Sequence, residues 1–306
     1  MDCLASQIAF DTAALELLVN EPAAVLKDPE AFWTGYPAQS LTRRWMEIVG
    51  FKFSPEDWRT EVGGWATLTP AERRGHSLVK VCDKIVGAKE SFARSALRHL
   101  CGFAPADTDL SCTIRFTAFI PPNAFAVQDI VINVGHRYWH GNPDNILNTM
   151  VHEVGHVVHS RFRELGGWQG RVEGRWLKTL DNLQAEGFCT YLAFRAQDAY
   201  PAPDVTDYAL AADPAAVKRL FGDLRLILAA AQDEAISADD FSRLAWDKGV
   251  KGRAYYVAGM HMCKAIDERL GRDGLLQSIL AGPAAWLEIA GQVLPEELGI
   301  GAVAER

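Results

Sequence analysis

The chain has 306 residues, 49% hydrophobic and 23% charged, an ordinary balance for a protein that folds around a sizeable core. Its net charge of −8 and isoelectric point near 5.5 argue against a nucleic-acid or anionic-membrane partner. The longest apolar runs, such as LILAAA at Leu226–Ala231, are far too short to span a bilayer.

The opening stretch MDCLASQIAF has no basic start and carries Asp2, so a signal peptide is not expected. Cysteines 3, 82, 101, 112, 189 and 263 are scattered and form no C-x-x-C pair, which predicts reduced thiols and a cytoplasmic protein. Helix starts are legible. A cap-type residue precedes proline at Asp28-Pro29, Ser54-Pro55, Thr69-Pro70, Asn142-Pro143 and Asp213-Pro214, and proline suits the first helical position. Thr69 and Glu72 also have the spacing of a capping box. Residues 1–110 therefore read as an N-terminal helical region.

Strands are expected in one place, early in the segment 111–200. In TIRFTAFI (Thr113–Ile120), Ile114, Phe116, Ala118 and Ile120 share a face. After a turn at Pro121-Pro122-Asn123, AVQDIVINV (Ala126–Val134) places Ile130, Ile132 and Val134 on one face. This alternation predicts a small sheet. The strand Asp129–Val134, if it lies at an edge, would be free to pair with an extended peptide.

The next helix is expected from Asn142-Pro143 to Gly166-Gly167, with Leu147, Met150, Val151, Val154, Val157 and Val158 inward. It carries His152-Glu153-Val154-Gly155-His156. His152 and His156, four apart, lie one turn apart on the same face, a spacing that lets both imidazoles reach one zinc ion. Glu153 then sits beside the metal, where a general base for water belongs. With eight histidines and eighteen glutamates, the pattern arises by chance in roughly one chain in eighty. His159 fits a place behind the ligands or on the surface. His136 and His140 precede the helix and would line a cleft at most. The glycines at 166, 167, 170 and 174 around Trp168 suggest a connector, with a lid as the alternative.

A third ligand is needed. The metzincin pattern requires Gly at 159 and His at 162, where this chain has His159 and Phe162. Cys112, 40 residues upstream, would suit a deformylase-like site but lacks its surroundings. The favoured candidate is Glu186 in NLQAEGFCTYLAF, 30 residues after His156 on the next helix. A carboxylate at the edge of an apolar face needs a strong partner, and Gly187 would let this helix approach the first closely. Glu164, Glu173 and Asp181 are the rivals. The segment 201–306 reads as a helical C-terminal region completing the cleft.

Two histidines and a glutamate from a second helix, after the strand DIVINV, resemble the gluzincin (thermolysin-like) clan of zinc metallopeptidases. EGFCTYL resembles the Glu-Gly-x-x-x-Tyr stretch of poorly characterised predicted peptidases in that clan, and YYVAGMHMCKAIDERLG (Tyr255–Gly271) resembles their late helix with Tyr-x-x-Gly, here Tyr256 and Gly259. The likeness covers about residues 113–200 plus that helix. The spacing to Glu186 is longer than in thermolysin, and the Asn-Glu-x-x-Ser-Asp context is absent. No family resemblance is read from residues 1–110. The resemblance implies a zincin-like, predominantly α-helical α+β fold. It also implies Zn²⁺ on His152, His156 and Glu186, Glu153 as catalytic base, and Tyr256 as the oxyanion donor, with Tyr255 and His261 as alternates.

The expected function is zinc-dependent hydrolysis of a peptide or protein substrate. The alternatives are hydrolysis of a small non-peptide amide, or a binding protein that kept the fold and lost turnover. No nucleic-acid or membrane partner is expected, no nucleotide-binding loop occurs, and the oligomeric state is open.

Overall fold

The computed structural model describes residues 7–52, 54–105, 107–120, 122–126, 129–136, 139, 142, 144–202 and 205–300. Cys3, Pro121, His140 and Pro143 lie outside the described residues. Among the described residues the fold is mostly helical with one four-stranded sheet, an α+β architecture. By spatial clustering it forms two compact units, one of residues 7–98 and 109–154, the other of 99–108 and 155–300.

The first unit holds the sheet. Strand β1 (Ile8–Asp11) is followed by α1 (Ala13–Asn20), α2 (Pro22–Lys27), α3 (Pro29–Gly35), α4 (Pro37–Val49), α5 (Pro55–Thr67), α6 (Pro70–Gly75) and all but the last turn of α7 (Ser77–Cys101). Then come β2 (Cys112–Thr117), β3 (Ala124–Ala126), β4 (Ile130–Asn133) and the start of α8 (Asn145–Leu165). The expected caps form: Asp28, Ser54 and Thr69 accept from backbone N–H groups of their helices, and Thr69 with Glu72 makes a full capping box. Each such cap contributes about 1 kcal/mol.

The strand order is β1-β2-β4-β3, with β2 parallel to both β1 and β4 and β3 antiparallel to β4. The two strands expected from alternation are thus present as β2 and β4. However, β4 is paired on both sides and wholly buried, which removes it as an edge for a peptide. β3 occupies that edge. Inside the sheet Phe10 stacks on Phe116 at 6.0 Å, and Arg115 joins Asp11 at 2.6 Å and Asp129 at 2.7 Å. Helices α1 and α4 cover β2, and the buried amide of Gln39 donates to Thr117 at 2.8 Å.

The second unit holds the remainder of α8, then α9 (Gly174–Arg195), α10 (Thr206–Ala212), α11 (Pro214–Gln232), α12 (Ala238–Leu244), a π-helical turn Ala245–Lys251, α13 (Ala254–Leu280) and α14 (Pro283–Val293). Asp213 caps α11 as expected, accepting from Ala215. The most extensive helix pairing is α9 with α13. Between α8 and α9, Trp168 is buried. Its indole donates to the Leu280 carbonyl at 3.2 Å, and the Arg163 guanidinium lies 5.5 Å from its ring. Gly167, Gly170 and Gly174 all have positive φ, so the segment is a set of turns pinned by one buried indole.

The expectation of six reduced cysteines fails at Cys101, which is disulfide-bonded; Cys82, Cys112, Cys189 and Cys263 form no disulfide. No helix among the described residues is long and apolar enough to cross a membrane.

Candidate metal centre

Helix α8 is amphipathic as its spacing dictates. Met150, Val151, Val154 and Val158 are fully buried, and Leu147 is nearly so. The helix begins at Asn145, and the Asn142 side chain accepts from Asp144 just before it. His152 and His156 fall on the rim of the buried stripe, half-buried. Glu153 is rotated further inward and is only 6% exposed.

Helix α9 reaches α8 because two small residues meet. A Cβ on Gly155 would stand 3.3 Å from Cα, Cβ and Sγ of Cys189. Gly187 serves a different neighbour from the one expected. A Cβ there would stand 2.4 Å from the Gly259 Cα on α13, so Gly187 brings α9 against α13, and the Gly155–Cys189 contact brings it against α8.

This packing places Glu186 beside the histidines. Among the described residues, one group of three or more metal-ligating side chains forms, His152, His156 and Glu186, with one donor atom from each within 4.8 Å of the others. His156 Nε2 and Glu186 Oε2 are 3.7 Å apart. That is too long for a hydrogen bond. It is close to the separation of about 3.4 Å that two ligands of one tetrahedral zinc adopt. Two imidazole nitrogens and one carboxylate oxygen are also a donor set zinc accepts with a position left open. The residues therefore fit the ion.

The rival ligands lie outside this group. Glu164 is exposed and pairs with Arg161 at 2.9 Å. Glu173 is exposed at the N-cap of α9. Asp181 pairs with Arg163 at 3.5 Å, and burial raises its pKa. Cys112 lies on β2, its thiol pushed up to about 12 by burial and the nearby Asp129.

His159 is buried, not on the surface. Its Nε2 meets Gln184 Oε1 at 3.1 Å, its ring packs edge-on to Trp168, and burial pushes its pKa down to about 3. It is thus a neutral strut between α8 and α9. His136 is half-buried.

The late-helix candidates separate. Tyr255 is buried against the π-helical turn, where a Cβ on Gly249 would stand 2.5 Å from its ring, and burial raises its pKa. His261 bonds the backbone of Ala211, and burial lowers its pKa. Tyr256 is half-buried, and the Arg253 guanidinium carbon lies 3.3 Å from its ring centroid.

Arg253 was not found by sequence reasoning. Its Nε and Nη2 donate to the two carboxylate oxygens of Asp207 at 2.7 and 2.6 Å. The only local signal is its position three residues before Tyr256, since Asp207 lies 46 residues away.

Residues 48–289 match the model of a family described as "Putative zinc dependent peptidase (DUF5700)". No curated protein and no solved structure matches the chain.

Proposed function

Because the chain belongs to that zinc dependent peptidase family, matched over most of its length, we propose that it is a zinc hydrolase of gluzincin type that cleaves peptide bonds. The observation that carries this reading is the group His152, His156 and Glu186, with Glu153 next to the first histidine on the same helix. These three side chains would hold Zn²⁺. When bound, the ion supplies a Lewis acid for the scissile carbonyl and lowers the pKa of water toward ~7.

The chain's own groups do the rest. Glu153 accepts a proton from the attacking water as its oxygen bonds to the carbonyl carbon. As the C–N bond breaks, Glu153 returns that proton to the leaving amine. Its near-complete burial keeps bulk water away from the carboxylate while this happens. The Tyr256 hydroxyl donates to the oxygen on which negative charge develops. His159 keeps α8 and α9 in register through Gln184 and, being neutral, adds no charge beside the ion. Glu153 also speaks against a purely binding role, because a zinc site without turnover needs no base beside it.

The test compares wild type with Glu153→Gln on a mixed peptide library, with zinc content measured in both. The expected result is cleavage by wild type and none by the variant, with zinc retained. Equal cleavage by both proteins would overturn the mechanism. Cleavage of small non-peptide amides with peptides left intact would overturn the substrate class.

A further inference from the structure

We propose that Arg253 is a positioning residue for Tyr256: clamped by Asp207, its guanidinium fixes the tyrosine ring beside the site that Glu186 enters. This rests on the hydrolase reading above for its catalytic consequence, though not for its geometry.

Three independent features converge on Arg253. First, its backbone has φ 69° and ψ 16°, at the N-cap of α13. Among the described residues only Asp107 and Phe119 share a positive φ without being glycine. This conformation is disfavoured for a long side chain, and glycine would adopt it freely. An arginine here points to a use for the side chain.

Second, both carboxylate oxygens of Asp207 are engaged by Arg253 Nε and Nη2. Asp207 is 7% exposed. A two-point pair of this kind fixes the guanidinium plane, which a single-point lysine contact would not. A buried pair is weak evidence for stability by itself, so orientation is the better account of it.

Third, the face of that plane is offered to an aromatic ring. The guanidinium carbon is 3.3 Å from the Tyr256 centroid, a contact in which both the charge and the flat shape of arginine are used. Glu186, and Tyr256 when ionised, act electrostatically on this guanidinium, so one group lies within reach of the proposed ligand and of the proposed oxyanion donor.

The experiment labels tyrosine Cζ with ¹³C and assigns the Tyr256 resonance by its loss in Tyr256→Phe. Arg253→Lys keeps the charge and removes the fork and the flat face; Asp207→Asn loosens the clamp and leaves the arginine. In both variants the Tyr256 resonance is expected to shift or broaden while that of Tyr255 stays, with zinc stoichiometry unchanged. In peptide hydrolysis, Arg253→Lys is expected to lower kcat by roughly 10²-fold at similar KM. The double variant Arg253→Lys/Tyr256→Phe should be no slower than Tyr256→Phe alone, as residues acting through one group are non-additive.

A Tyr256 resonance unmoved in both variants would overturn the proposal, as would kcat losses that multiply in the double variant. Loss of fold in both variants would make the pair a structural tie and overturn it too. If wild type hydrolyses no peptide, the hydrolase reading fails, and the resonance measurements still decide the positioning.

Discussion

A Cβ on Gly187 would stand 2.4 Å from the Cα of Gly259, so α9 and α13 cross backbone to backbone one residue after Glu186. The carboxylate of the proposed third ligand is set by this crossing. No side chain at either position can be accommodated without moving a helix axis.

Gly187→Ala and Gly259→Ala are each expected to destabilise the protein by about 1–3 kcal/mol, the usual range for overpacking. This is despite the gain of about 1 kcal/mol that alanine brings to a helix interior. Urea unfolding measures the loss, and zinc affinity should fall with it because Glu186 is displaced. An alanine variant as stable as wild type would mean that the helices are not in contact here.

Trp168 holds the turns between α8 and α9. Trp168→Phe removes the indole donor to Leu280 and should cost about 1 kcal/mol. Trp168→Ala also removes the packing on His159 and Arg163 and should cost about 3 kcal/mol or more. If instead the segment were a lid, Trp168→Ala would leave the unfolding midpoint in place and alter only substrate turnover.

His159 makes stability depend on pH. Burial, opposed only in part by the bond to Gln184, holds its folded-state pKa near 3, below the value of about 6.5 in an unfolded chain. The unfolded state therefore takes up a proton below pH 6.5 that the folded state refuses. The stability is fully present above that pH and falls as pH drops toward 3, by up to about 1.4 kcal/mol per unit. In metal-free protein, His159→Asn should be less stable than wild type at pH 7 yet lose about 2 kcal/mol less between pH 7 and pH 5. Parallel losses in the two proteins would show that His159 is protonated when folded.

The helix signals and the HEVGH pattern are local, and they were legible for that reason. Caps at Asp28, Ser54, Thr69 and Asp213 need only a few neighbouring residues, and His152 and His156 share a face through helical geometry alone. Glu186 was reachable because a carboxylate on an apolar margin asks for a partner. What Gly187 packs against was not legible, because a glycine signals close approach without naming the approaching helix. β1 was missed because four residues give too little alternation, and its parallel partner is more than 100 residues away. The interior position of β4 follows from that same non-local pairing and from β3, only three residues long. The Arg253–Asp207 clamp joins two helices through a contact that no sequence period encodes.

The hydrolase reading requires zinc on His152, His156 and Glu186. Zinc content is measured by mass spectrometry on protein prepared without a metal-affinity tag. Wild type should hold about one ion per chain and Asp181→Asn the same, with Glu186→Ala much reduced. A wild type that holds no zinc after equilibration with excess metal, or a Glu186→Ala variant that holds one ion as wild type does, would contradict it.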